Sequence, residues 1–116
     1  MYFLLFVLHD PAFCEEVLAA WESTGVSGVT ILYSTGLNRI QQRGLQEDMP
    51  LMPSFEDFFS SQEDGNRTLF TILKDEQLID KIVEATEKVV GKLDSPNTGI
   101  LIVLPIAKAY GLNRIG

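Results

Sequence analysis

The stretch Tyr2-Phe-Leu-Leu-Phe-Val-Leu8, interrupted at once by His9-Asp10-Pro11, decides how the rest of the chain is read. It is far shorter than the roughly twenty apolar residues that a membrane helix needs. As a secretory leader it lacks a basic start and a small-residue cleavage site. A continuous apolar run rich in β-formers and bounded by turn residues reads instead as a strand buried on both faces. Asp10 suits a helix N-cap with Pro11 at the first helical position. Phe13, Val17, Leu18 and Trp21 follow at helical spacing, Gly25 closes the helix, and Gly28 to Tyr33 reads as a second strand. The opening third of the chain is therefore β-α-β.

The closing part repeats that plan. Arg67 to Lys74 reads as a strand, and Asp75 caps a helix carrying Leu78, Ile79, Ile82, Val83, Thr86, Val89 and Val90. Gly91 ends that helix, and Gly99-Ile-Leu-Ile-Val-Leu104 forms a fourth strand stopped by Pro105. Two βαβ units in series predict an α+β, ferredoxin-like βαββαβ domain with an antiparallel four-stranded sheet. Right-handed crossovers put both helices on one face of that sheet. Yet Tyr2–Leu8 and Ile100–Leu104 are apolar at every position, so the other face needs a cover too. Another copy of the chain supplies it most economically; the alternative is that the long segment between strands two and three folds back.

Composition narrows the class of protein. The chain's 116 residues suit one domain, 1–116, and 46% of them are hydrophobic, enough for a modest single core. Sixteen acidic residues against nine basic ones give a formal net charge of -7, which repels phosphate backbones and anionic bilayers. Nucleic acid and membrane insertion are not expected. A single cysteine, Cys14, makes no internal disulfide and fits a reducing, cytoplasmic setting. His9, Asp10, Cys14 and Glu15 cluster in sequence but match no zinc spacing, and no nucleophile has a general base beside it. Neither a metal site nor an enzyme is expected.

The segment Ser34 to Asn66 is far longer than the usual two to six residues of a connection. Its start, Gly36-Leu-Asn-Arg-Ile-Gln-Gln-Arg-Gly44, is polar and mildly basic. Its middle, Leu51 to Phe59, reads as a short capped helix with Met52, Phe55, Phe58 and Phe59 as an apolar face that must dock. Its end, Gln62 to Asn66, is an acidic turn. The pentapeptide Gly-Leu-Asn-Arg-Ile occurs at Gly36–Ile40 and again at Gly111–Ile115, each time shortly after the last strand of a βαβ unit.

At this point the residues show a likeness. Gly25-Val-Ser-Gly-Val-Thr-Ile31 with Ser34-Thr-Gly-Leu-Asn-Arg39 resembles the second strand and T-loop start of the nitrogen regulatory PII signalling proteins. Gly99-Ile-Leu-Ile-Val-Leu-Pro-Ile106 looks like their fourth strand. The resemblance implies a homotrimer, an adenine nucleotide in clefts between subunits, and a T-loop that engages a regulated protein partner. It implies a ligand site near Gly36, Arg39, Gln41 (or Gln42), Gly91, Lys92 and Arg114, and a partner-binding role for the loop whose apolar face, Met52, Phe55, Phe58 and Phe59, otherwise docks on its own domain or a neighbouring subunit. Three features depart from the family. The lysine of its Asp-Gly-Lys turn is replaced by Ile100, its C-terminal Arg-x-Arg pair falls on Gly111 and Asn113, and no tyrosine lies between Ser34 and Asn66. With most phosphate ligands gone, a smaller or less charged ligand is expected as much as a nucleotide. Two further readings stand beside this one: a structural or metal-handling trimer like the copper-tolerance CutA proteins, and a small ferredoxin-like enzyme.

Overall fold

The computed structural model describes residues 1–36 and 65–112. Four strands, β1 (Tyr2–Leu8), β2 (Thr30–Ser34), β3 (Asn66–Leu73) and β4 (Gly99–Pro105), form one sheet in the order β2-β3-β1-β4. Every neighbouring pair is antiparallel. Helix α1 (Cys14–Ser23) links β1 to β2, and α2 (Glu76–Val90) links β3 to β4. The arrangement is the α+β, split-βαβ, ferredoxin-like one that the paired βαβ patterns imply, with both helices on one face.

Local chemistry sets the helix boundaries. Asp10 accepts the Ala12 N–H at 3.0 Å, and Pro11 to Phe13 form a 3-10 turn before α1 begins at Cys14. The first helix is therefore two pieces rather than the single run the spacing predicts. The turn makes Asp10 its cap and leaves Cys14 to open the α-helix. Asp75 caps α2 in the same way, accepting the Gln77 N–H at 3.0 Å. Gly91 stops α2 at φ 91°, in the left-handed region that favours glycine, and donates its N–H to the Glu87 carbonyl at 2.9 Å.

Alternation along the strands sorts the side chains. Leu4, Phe6 and Leu8 of β1 and Leu69 and Leu73 of β3 are buried with Val17, Trp21 and Ile82 of the helices, forming the core. Burying one such aliphatic chain stabilises the fold by about 1.5–3 kcal/mol. The α1–α2 contact is also polar: the Trp21 Nε1–H donates to Thr86 Oγ1 at 2.8 Å, and that hydroxyl donates to the Ile82 carbonyl at 2.7 Å. Where β1 begins, the Tyr2 hydroxyl donates to Glu76 Oε1 at 2.6 Å, and this bond raises the pKa of the phenol.

The strand boundaries differ from the sequence pattern by one or two residues, most instructively at the start of β2 and the end of β4. β2 begins at Thr30, because the Gly28 carbonyl is taken by the Thr71 hydroxyl instead of by a ladder. Pro105 ends β4 inside the ladder, opposite Tyr2, which an edge strand tolerates. Gly99 is required where it stands. Its φ is 144°, and a Cβ there would lie 2.5 Å from the Val7 carbonyl oxygen and 2.6 Å from the Phe6 ring.

Candidate functional site

The face of the sheet away from the helices is built by the other half of each strand. Register lays its side chains in four rows: Leu104–Phe3–Ile72, Ile102–Leu5–Phe70–Thr30, Ile100–Val7–Thr68–Leu32 and Asn66–Ser34. Nine of these thirteen positions are apolar, and five of those are strongly exposed: Ile100 62%, Leu104 52%, Leu32 50%, Ile102 44% and Ile72 38%. The Phe3 and Phe70 rings lean together with centroids 5.4 Å apart. A contiguous apolar surface of this kind is unusual on a chain with a formal net charge of -7. The double-faced apolarity of β1 and β4 points to this face from sequence. The contribution of β3 and β2 is carried by the finer alternation of Thr68, Phe70 and Ile72, and of Thr30 and Leu32.

One end of the sheet gathers the roots of the loops. Leu8, Arg67, Tyr33 and Gly99 occupy one level there, since Leu8 pairs with both Arg67 and Gly99 and Arg67 pairs with Tyr33. Ser34 and Asn66, which pair with each other, clamp the connection 35–65 between adjacent strands. A 2.8 Å hydrogen bond between the Ser34 and Thr68 hydroxyls reinforces this stem. On the helix side, the Arg67 guanidinium lies 4.4 Å from the Tyr33 ring centroid and donates to the Asn66 carbonyl at 3.4 Å. This cation–π pair is a further feature of the loop root, and no local spacing in the sequence announces it.

Of the residues expected to meet a ligand, Gly36, Gly91 and Lys92 are described. Gly36 lies two residues past the end of β2, and α2 returns antiparallel to β3, so all three lie at the loop-root end. Gly36 extends from one edge strand, whereas Lys92 begins the connection to β4 at the opposite edge. Gly91 has a structural duty as the stop of α2. Lys92 is exposed and lines a shallow depression with Asp80, Val83, Glu84, Glu87 and Lys88. Lys88 is already paired with Glu84 at 3.5 Å, and Glu87 Oε2 accepts the Leu93 N–H at 3.0 Å. Three carboxylates against two ammonium groups make that depression a poor anion site on its own. Arg39, Gln41 and Arg114 of the expected ligand site, and Met52, Phe55, Phe58 and Phe59 of the expected partner loop, lie outside the described residues. The two Gly-Leu-Asn-Arg-Ile repeats begin at opposite ends of the sheet, because β2 and β4 run in opposite directions.

The amino-terminal cluster is divided by the fold. Asp10 is engaged as a cap, and Cys14 opens α1, half-buried. Desolvation raises the pKa of the Cys14 thiol, and the nearby Arg67 charge offsets this only in part. Among the described residues, no three His, Cys, Asp or Glu side chains come together in a metal-binding group. No helix among them is long and apolar enough to cross a membrane. No protein-family model matches the chain, and no curated protein is significantly similar to it.

Proposed function

We propose that this chain is a PII-like cytoplasmic signalling protein, assembled as a homotrimer through the open apolar face. It senses a small ligand at clefts between subunits and engages a partner protein through the segment 34–66. The observation that carries this reading is the open face itself: two helices cover one side of the sheet, and the other side presents an apolar surface suited to further copies. That Gly36 follows edge strand β2 while Lys92 leads toward the other edge strand, β4, supports it as well. A site using both is completed most directly where the β2 edge of one copy meets the β4 edge of another. The stem clamped by Ser34 and Asn66 suits a loop that must change shape on a fixed base.

Arg39 and Lys92 are assigned to an anionic group of the ligand, through charge-assisted hydrogen bonds. An adenine nucleotide is one candidate; 2-oxoglutarate and bicarbonate are smaller ones that fit the reduced set of cations. Two measurements test the reading. Light scattering at micromolar concentration should give three times the 12.9 kDa chain mass, and a monomer overturns the assembly. A thermal-shift screen against those anions and divalent metals should find an anion that stabilises the protein. A true ligand at a hundredfold excess over Kd contributes about 2.7 kcal/mol. Arg39→Ala and Lys92→Ala should each abolish that shift. Stabilisation by metals alone would instead favour the metal-handling trimer.

A further inference from the structure

No further inference is drawn: the strongest candidate, the apolar open face of the sheet built by Phe3, Leu5, Phe70, Ile72, Ile102 and Leu104, belongs to the surface already assigned to self-association, and nothing in the structure points to a second occupant.

Discussion

Trp21 and Thr86 stand 65 positions apart, yet their hydrogen bond is the polar centre of the helix pair. The indole N–H is fully buried and has this one hydroxyl as its acceptor. Thr86→Val keeps the shape and removes the acceptor, leaving a buried donor unpaired at a cost of about 1–3 kcal/mol. Urea unfolding followed by the fluorescence of Trp21, the single tryptophan, should show a lower midpoint; an unchanged midpoint would mean the bond adds nothing. Helical spacing places Trp21 in the core from sequence alone. Its partner is invisible there, because local periodicity carries no information about which residue of a distant helix it will face. Cys14 presents a second residue-level case. Its raised pKa means less thiolate at any given pH, so iodoacetamide should modify it more slowly in the native chain than in urea at pH 7.5. The pH profile of that reaction should also be displaced to higher pH than that of the unfolded chain. Native reactivity equal to or above the unfolded rate would contradict the burial argument.

At the level of elements, β4 shows how far a strand's meaning depends on alternation. Ile102 points to the open face, opposite Leu5, while Leu101 and Val103 pack against the core on the helix side. Ile102→Glu should therefore leave the circular dichroism spectrum intact and lower the mass measured by light scattering. Val103→Glu places a charge against the core and should cost several kcal/mol, lowering the melting temperature sharply. If Ile102→Glu unfolds the chain, or leaves the mass unchanged, the open face is not the assembly surface. The strands themselves were readable because continuous apolar runs bounded by Asp-Pro, Gly and Pro leave little else for the backbone to do. The start of β2 was not. Thr71 diverts the Gly28 carbonyl from the ladder, a contact 43 residues away that local propensity does not encode. Of the proposed ligand residues, topology brings Gly36, Gly91 and Lys92 to one end of the sheet and carries no further. Gly91 shows the limit: the same glycine suits a ligand cradle and a helix stop, and the geometry shows the second.

For the whole molecule, the helix layer and the sheet face divide the chemistry between them. Glu15, Glu16, Glu22, Glu76, Asp80 and Glu84 are exposed on or beside α1 and α2, whereas the open face is apolar but for Thr30, Thr68, Ser34 and Asn66. Each chain carries a formal charge of -7, so bringing copies together opposes apolar burial with like-charge repulsion. The two contributions respond differently to salt. Screening shortens the reach of the repulsion from about 30 Å at 0.01 M to about 8 Å at 0.15 M, while apolar burial is little changed. The proposed assembly should therefore tighten as sodium chloride rises from 10 to 150 mM, which sedimentation velocity at low micromolar concentration can follow. If the copies were held by ion pairs, the same salt would loosen them. A rising dissociation constant would thus place the contacts on the charged helix layer and leave the apolar sheet face without its proposed role.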